Sequence, residues 1–406
     1  MKETHLELNV GNTSLAFHTK SFDESLDHFF NFVGSSPAAV IVTSVKKWAF
    51  IKVNDNFIKM FGYSRKEVIG KTLLEVEILD KEEFKKLLKI VKEKQTIQNE
   101  IFICKAKNNE AVYTIVSSEI IQIGGKQYSV SSFLNITKFQ EQQLIIERQN
   151  SEIMDSIRYA RLIQKALLPT KKQIESILPD SFVLAIPKDI ISGDFYWIEK
   201  HKSKIFIAVC DCTGHGVPGA FISIIGYKLL NKFIIEYGFS SPAEILNQLN
   251  EEFLVADKRI IKSTFEIRDG MDMALCVIDR STMTMAYAGA YNPVYQVRKG
   301  KLTKLAVDKI PIHLFTSHTG EKFKDCEIKV EEGDLYYMFS DGYADQFGGP
   351  RRKKFLSKKF QELIVSIQDL QMSEQKRILG ETIEEWRKVS HEDQTDDILV
   401  LGFKIS

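Results

Sequence analysis

The sequence predicts an α+β protein in which two domains are joined by one long helix. With 406 residues, the chain exceeds what one ordinary hydrophobic core accommodates. Short apolar runs typical of strands alternate with segments of helical periodicity in both halves. Between the halves, residues 137–168 contain neither glycine nor proline, which favours an unbroken helix. We therefore expect an extension at 1–21, a first domain at 22–136, a connector helix at 137–168 and a second domain at 169–406.

Composition and charge exclude several classes of protein. The net charge is +1, so no excess of positive charge favours nucleic acid or an anionic membrane surface as a partner. No run reaches the roughly 18 apolar residues that a membrane span requires. The first residues, MKETHLELNV, lack the apolar stretch of a secretory signal. Five scattered cysteines are typical of reduced, buried thiols, so the sequence predicts a cytoplasmic protein.

The first domain alternates short strands, short helices and turns. Residues 50–53 and 112–123 are predicted strands, and Ser64 with Glu67 forms a predicted capping box at the start of a helix. Three stretches, VNDNF (53–57), FGYS (61–64) and EVIGK (67–71), closely resemble the PAS family of sensory domains.

This resemblance implies a sensor or dimerisation module whose ligand is unassigned. PAS domains that hold flavin covalently use a cysteine in an Asn-Cys-Arg context, which is absent from this chain. A haem pocket would need a histidine inside the domain, and after His28, near the start of the domain, none occurs before His201.

Heptad spacing in the connector predicts a coiled-coil seam. Apolar residues recur every seventh position, and a mostly polar row lies between them. The first row is Phe139, Ile146, Ile153, Ala160 and Leu167, and the second is Gln143, Asn150, Ile157 and Gln164. We favour a dimeric signalling helix with a weak, shiftable seam. A single amphipathic helix docked on one of the domains is the alternative.

Five aspartates of the second domain stand where a predicted strand meets a turn of small residues: Asp194, Asp211, Asp341, Asp396 and Asp397. Any one of them is ordinarily a turn residue. Ionised carboxylates gathered in one site repel one another, so their joint occurrence predicts bound cations. Oxygen ligands without a cluster of cysteine and histidine favour Mg²⁺ or Mn²⁺ over zinc. Two such ions about 3.5–4 Å apart activate a bridging water for attack on phosphorus.

Six stretches of the second domain occur in a fixed order: SGDFYW (192–197), DCTGHGVPGA (211–220), GMDMALC (270–276), AGAYNP (288–293), SDGYADQFGG (340–349) and DDILV (396–400). Together they closely resemble the SpoIIE-type branch of the type 2C, PPM-like, protein serine/threonine phosphatases. The resemblance implies an α-β-β-α sandwich with two Mn²⁺ or Mg²⁺ ions between the sheets. It also implies phosphoserine or phosphothreonine substrates, often small STAS-type anti-sigma-factor antagonists in partner-switching circuits.

The resemblance also implies roles for individual residues. Asp211 would bridge both metals, and the backbone carbonyl of Cys212 would be an additional ligand. Asp341 and Asp396 would complete the ligand shells, and Asp194 would bind one metal directly or through water. Asp211 and Asp341 are therefore the residues expected to carry catalysis.

Three further residues and one basic run have candidate roles. His215 is either the general acid that protonates the leaving oxygen or a loop histidine bonded to a backbone carbonyl. Asp272 lies in a predicted strand and is a candidate for a third, weaker metal position. Asp397 supports Asp396 or meets solvent, with an additional metal position as a further alternative. The basic run 351–354 beside the Asp341 loop contacts an acidic partner or phosphopeptide, or else is a solvated flap.

The sequence therefore predicts a metal-dependent protein serine/threonine phosphatase. It would hydrolyse a phosphoserine or phosphothreonine monoester with a metal-activated water, under control of the PAS domain. We expect a homodimer through the PAS domain and connector, with neither nucleic acid nor membrane as a partner. A catalytically weak phosphoprotein-binding module is the alternative. A nucleotide substrate is disfavoured because no GxxxxGK[ST] loop is present.

Overall fold

The computed structural model describes most of the chain in two compact units. The described residues are 4–10, 13–19, 36–94, 96–123, 126–260, 270–310, 312–313 and 321–406. The units are Met1–Ser151 and Glu152–Ser406, so the boundary between them falls inside the connector helix. The sequence also predicts a helix at the start of the first domain, before residue 36, and a turn at Gly124 and Gly125; both lie outside the described residues.

The first unit is built on a five-stranded antiparallel sheet. The strands are β1 (Thr4–Val10), β2 (Thr13–Thr19), β3 (Ala39–Ser44), β4 (Phe50–Val53), β5 (Thr96–Lys105), β6 (Ala111–Ile123) and β7 (Lys126–Asn135). The strand order of the sheet is β4-β3-β7-β6-β5, and a separate hairpin of β1 and β2 precedes it in sequence. The helices are α1 (Asp55–Phe61), α2 (Arg65–Val68) and α3 (Lys81–Lys94).

Side chains cap the first turn of two helices in this unit, and one of these caps is predicted from the sequence. The Asn54 side chain caps α1 by accepting from the N–H of Phe57 at 2.9 Å, and it also accepts from the N–H of Val40 in β3. At the start of α2, the Glu67 carboxylate accepts from the Ser64 N–H at 2.8 Å. The predicted capping box is therefore confirmed.

The connector is one continuous helix, α4 (Thr137–Leu167), as expected from its lack of helix breakers. Its apolar seam residues Phe139, Ile146 and Ile153 are 59%, 54% and 57% exposed. Gln164 differs from the prediction, because it is buried within the second unit rather than available to a seam.

The second unit contains two antiparallel sheets. The strands are β8 (Ser181–Ile186), β9 (Phe195–His201), β10 (Lys204–Cys212), β11 (Gly270–Asp279), β12 (Thr284–Ala290), β13 (Val294–Arg298), β14 (Lys301–Lys304), β15 (Ile312–His313), β16 (Cys326–Lys329), β17 (Leu335–Phe339), β18 (Phe347–Gly348), β19 (Lys353–Lys354) and β20 (Ile398–Lys404). The first sheet has the order β16-β12-β11-β10-β9, with β15 paired to β11, and the second sheet has the order β14-β13-β17-β20-β8. The helices are α5 (Lys171–Ile177), α6 (Gly216–Leu230), α7 (Pro242–Ile260), α8 (Gly342–Asp345), α9 (Ser357–Ser366) and α10 (Met372–Lys388).

Strand alternation builds three apolar layers in this unit. On β10, Ile207 and Val209 face the second sheet and meet Leu401 of β20 in a shared core. Phe206 and Ala208 face the other way, into a core with α6 and α7. A third core lies between the second sheet and α9 and α10. The result is the predicted α-β-β-α sandwich.

The apolar helix over the first sheet is part of this core. Gly216–Glu236, which comprises α6 and a π-helical turn (Asn231–Glu236), is the one described helix long and apolar enough to cross a membrane. Its residues Ile222, Leu230 and Phe233 are buried against the sheet. All five cysteines are free, and Cys326 on β16 is exposed whereas the other four are buried.

The buried carboxylate of Asp334 is paired with Arg298, whose side chain is partly exposed. Asp334 is 1% exposed, and its carboxylate accepts from Arg298 at 2.7 and 2.5 Å and from the Glu331 N–H at 2.9 Å. Burial alone would raise the pKa of Asp334, but these hydrogen bonds outweigh it and lower the pKa.

We expect Asp334→Asn to destabilise the protein by about 3 kcal/mol, because a buried, paired charge is lost. A lowered folded-state pKa stabilises the fold above the unfolded pKa, and this contribution disappears as pH falls through the folded value. The stability difference should therefore be full at about pH 7 and shrink below about pH 4. Urea unfolding across this range measures it, with the exposed neighbour Glu332→Gln as control. A constant difference at all pH values would contradict the assignment.

Candidate active site

Strand alternation brings three aspartates to one edge of the gap between the sheets. Asp211 on β10 and Asp272 on β11 both lie on the side that faces the second sheet, beyond its last apolar layer. Cys210 pairs with Phe195 at the end of the β10–β9 ladder, so continuing that register by one step puts Asp194 beside Asp211.

Asp211 and Asp272 are direct cross-strand partners. Residues opposite one another on an antiparallel pair have Cβ atoms about 4.5–5.5 Å apart, and like charges there are destabilising. Burial, and then the carboxylate of Asp341, raises the pKa of Asp211 to about 8 and that of Asp272 to about 6. The pair therefore resists carrying two negative charges without a compensating cation.

Asp341 reaches the same place from the second sheet. It follows β17 and directly precedes α8. Its backbone N–H donates to Oδ2 of Asp211 at 3.2 Å, which joins the loops of the two sheets. Burial, then the carboxylates of Asp345 and Asp396, raise the pKa of Asp341. Asp396 thus lies within electrostatic reach of Asp341, as the sequence predicts.

Asp194 has a buried carboxylate oxygen with no partner. Its Oδ2 accepts no hydrogen bond from the described part of the chain. Burial, and then Asp211, raises the pKa of Asp194 well above its ordinary value, whereas Ser340 lowers it. A buried polar atom without a partner is rare in native proteins and commonly marks a position for water or an ion.

Asp397 positions the loop that leads to Asp194. Its side chain is buried, and the two carboxylate oxygens accept from the backbone N–H groups of Lys188 and Gly193, each at 2.7 Å. Its own N–H donates to Oδ1 of Asp396 at 2.8 Å. Of the two alternatives for Asp397, exposure to solvent is wrong, because its carboxylate, directly before β20, is enclosed by this loop. The bond to Asp396 accords with the other alternative, that Asp397 supports its neighbour.

Glycines allow the site loops to approach one another. A Cβ on Gly193 would lie 2.7 Å from the Gly214 carbonyl oxygen and 3.2 Å from that of Cys212. A Cβ on Gly219, in the first turn of α6, would also collide with the Gly214 carbonyl. Glycine at 193 and 219 is therefore required for the Asp194 loop to pack on the loop after Asp211.

Comparison with protein-family models identifies both domains. Residues 201–406, just over half of the chain, match the model for Stage II sporulation protein E (SpoIIE). The chain belongs to the SpoIIE family. Residues 37–138 match the model of a PAS domain, so a PAS domain precedes the SpoIIE domain. Both resemblances drawn from the sequence motifs are confirmed.

Two relatives of the SpoIIE domain are informative. The chain is 30% identical to the phosphoserine phosphatase RsbU of Bacillus subtilis (strain 168). The match extends over 208 residues, or 51% of this chain. The match covers 58% of RsbU, so the chain spans little more than half of that relative. The SiaA-PP2C domain of Pseudomonas aeruginosa has 29% identity and a TM-score of 0.56, over 64% of this chain and 99% of that domain. The type 2C phosphatase fold is therefore confirmed.

We call Asp194, Asp211, Asp272, Asp341 and Asp396, with the loops that carry them, the SpoIIE site. His215 lies in the loop after Asp211 and is paired with an acid. It is the N-cap residue of α6, and its Nδ1 is 2.6 Å from Oδ2 of Asp189, with both side chains about half exposed. Among the described residues, the partner is thus a carboxylate rather than the predicted backbone carbonyl. Sequence reasoning missed Asp189, which precedes the SGDFYW motif by three residues and has no distinguishing neighbours.

The connector helix is bonded to the SpoIIE site by Gln164. Its amide nitrogen donates to the Ser192 carbonyl at 2.6 Å and to the Ser223 hydroxyl of α6 at 2.9 Å, and its amide oxygen accepts from the Ser192 N–H. Ser192 is two residues before Asp194. One side chain of α4 therefore holds both the Asp194 loop and the helix that follows Asp211.

The residues of the SpoIIE site fit hard divalent cations. The donors are oxygens, Asp194 has an unpartnered buried oxygen, and Asp211 faces a like charge on Asp272. Within the described residues, no three or more histidine, cysteine, aspartate or glutamate side chains are grouped closely enough to be recognised as a complete metal site. The ligand set of Asp194, Asp211, the Cys212 carbonyl, Asp341 and Asp396, with Asp272 as an additional candidate, thus stays a prediction.

Proposed function

We propose that this protein is a metal-dependent phosphatase acting on phosphoserine or phosphothreonine in a protein substrate. The observation that carries the proposal is the convergence of aspartates from both sheets, with the Asp341 N–H bonded to Asp211. Support also comes from the relative RsbU, which is named a phosphoserine phosphatase.

The chain's own residues have distinct tasks in this proposal. Asp211, Asp341, Asp396 and Asp194, with the Cys212 carbonyl, would hold two Mn²⁺ or Mg²⁺ ions. When bound, such ions supply positive charge that activates water and stabilises the phosphoryl oxygens. Asp397 acts as a positioning residue, because it fixes the loop before Asp194 through two backbone N–H groups.

His215 is the proposed proton donor to the leaving oxygen. It is exposed at the start of α6 beside the Asp211 loop, and the Asp189 carboxylate orients its ring.

The test is hydrolysis of p-nitrophenyl phosphate and of a phosphoserine peptide by the full chain. We expect turnover with Mn²⁺ or Mg²⁺, none in EDTA, and preference for the phosphoserine peptide over a phosphotyrosine peptide of the same sequence. If the protein bound phosphopeptide without hydrolysing it under any metal, it would instead be a phosphoprotein-binding module.

Partner and location belong to the same proposal. The resemblance to SpoIIE-type phosphatases supports a phosphorylated STAS-type anti-sigma-factor antagonist as the substrate. Free cysteines accord with a reducing, cytoplasmic location. Exposed apolar residues Phe139, Ile146 and Ile153 along α4 support a homodimer through the connector, together with the PAS domain.

We expect the PAS domain to control turnover through the connector. Gln164 on α4 bonds the Asp194 loop, so a change in helix packing would bias the position of that loop. A chain lacking residues 1–137 should differ from the full chain in kcat while it keeps the same Mn²⁺ dependence. Sedimentation of both chains measures the dimer in parallel. Identical kinetics with and without the PAS domain would contradict this control.

A further inference from the structure

A concentrated basic segment adjoins the SpoIIE site. Residues 351–359 contain six lysines and arginines, and no acidic residue occurs from 346 to 361. The whole chain has a net charge of only +1, so this segment is a local excess of positive charge. Part of it forms a hairpin of β18 and β19, in which Phe347 pairs with Lys354 and Gly348 with Lys353.

The hairpin is fixed to both loops that carry predicted metal ligands. Gln346, immediately before it, is fully buried; its amide nitrogen donates to the Asp393 carbonyl at 2.9 Å and its amide oxygen accepts from the Thr395 N–H at 3.0 Å. Residues 393–395 lead directly to Asp396. On the other side, the Leu356 N–H donates to the Ala344 carbonyl of α8 at 2.7 Å.

A tryptophan holds the hairpin in a defined position. The Gly349 N–H donates to the Trp386 carbonyl at 2.7 Å, and the Trp386 indole N–H donates to the Gln346 carbonyl at 3.2 Å. A Cβ on Gly348 or Gly349 would collide with Trp386. Such packing is unlike that of a freely solvated flap, so the backbone that carries these cations has a fixed place beside the site.

Two of the four cations in the run 351–354 are paired within the chain and two are not. Lys354 pairs with Asp345 at 2.7 Å, and Arg352 with Glu392 at 3.5 Å. Arg351 and Lys353 are exposed and form no ion pair with any carboxylate in the described part of the chain. Their charges face solvent.

We infer that Arg351 and Lys353 form a docking site for acidic residues that flank the phosphorylated serine or threonine of the substrate. This inference rests on the proposed phosphatase function and adds the kind of substrate sequence. The Lys354 side chain, which is paired with Asp345 of α8, holds the hairpin beside the loop that carries Asp341. An acidic peptide held by this hairpin would be anchored beside the site loops by charge-assisted contacts.

The experiment compares three substrates of the full chain: p-nitrophenyl phosphate, a phosphoserine peptide with glutamates on both sides, and the same peptide with glutamines. Arg351→Glu with Lys353→Glu should raise KM for the acidic peptide about tenfold, since two attractions become repulsions. The other two substrates should change by less than about twofold. The exposed pair on β14, Lys301→Glu with Lys304→Glu, makes the same charge change and should alter none of them.

Binding without metal gives a second readout. Fluorescence anisotropy of the labelled acidic peptide in EDTA should report weaker binding to the hairpin variant than to the wild type, and loss of the difference at high salt. Equal KM and equal binding for the wild type and the hairpin variant would overturn the inference. Displacement of the labelled acidic peptide by an oligonucleotide at a lower concentration than by unlabelled peptide would also overturn it. If p-nitrophenyl phosphate is not hydrolysed, the phosphatase proposal fails, and the anisotropy still decides whether the hairpin binds acidic peptides.

Discussion

Asp211→Asn should abolish metal-dependent hydrolysis of p-nitrophenyl phosphate, with kcat lowered by at least about 10³-fold. Asp211 is the carboxylate at the centre of the site: it opposes Asp272 across two strands and accepts the Asp341 N–H. An asparagine of the same shape removes the charge but leaves one oxygen ligand. Several kcal/mol of charge stabilisation are then lost, at about 1.4 kcal/mol for each tenfold in rate.

A thermal-unfolding measurement separates loss of metal from loss of fold. Wild-type protein should gain stability when Mn²⁺ is added, because a ligand that binds only the folded state stabilises it. The Asp211→Asn protein should unfold at an equal or higher temperature without metal, since a repulsion is removed, and should respond little to Mn²⁺. Asp279→Asn, at the opposite end of β11, is the matched control and should retain turnover and the Mn²⁺ response. Normal turnover by Asp211→Asn would show that the site works without this carboxylate.

Much of the site was predictable because it is encoded by short, contiguous patterns. Alternation along β10 fixes which face Asp211 occupies, and the capping and turn residues fix where each strand ends. The six motifs of the second domain carry both the aspartates and the glycines that let the loops approach. Such information is local, so one sequence suffices to recover it.

Sequence reasoning missed contacts that join distant segments. Asp189 pairs with His215, Gln164 with Ser223, and Asp397 with the N–H of Lys188, which is 209 positions away in sequence. Neither a polar residue in a helix nor an acid in a loop reveals such a partner. For Gln164 the heptad pattern was misleading, because the same spacing that predicts a seam also describes one side of a helix docked on its own domain.

Gly342→Ala is expected to be the most damaging change outside the carboxylates. Gly342 follows Asp341, and a Cβ there would collide with the backbone carbonyl of Asp397 and lie 3.4 Å from Ile398 Cγ1. The neighbouring Ser340 N–H donates to the Leu399 carbonyl at 2.9 Å, so the segments that carry Gly342 and Asp397 cannot separate without breaking the sheet. A clash with backbone is not relieved by a change of side-chain rotamer, so we expect a cost of about 3 kcal/mol.

If the backbone at residue 342 moved to relieve this clash, Asp341 would move away from Asp396. A displacement of about 1 Å in a catalytic constellation lowers turnover by roughly 10²-fold, so kcat for p-nitrophenyl phosphate should fall to that extent in the folded fraction. Gly380→Ala is the matched control: Gly380 lies inside α10, and its Cβ would make an ordinary 3.6 Å contact with Leu184. That variant should gain about 0.5–1 kcal/mol in urea unfolding with kcat unchanged. Wild-type stability and turnover in Gly342→Ala would mean that the loops of Asp341 and Asp397 tolerate separation, and that their close contact is not what aligns the site.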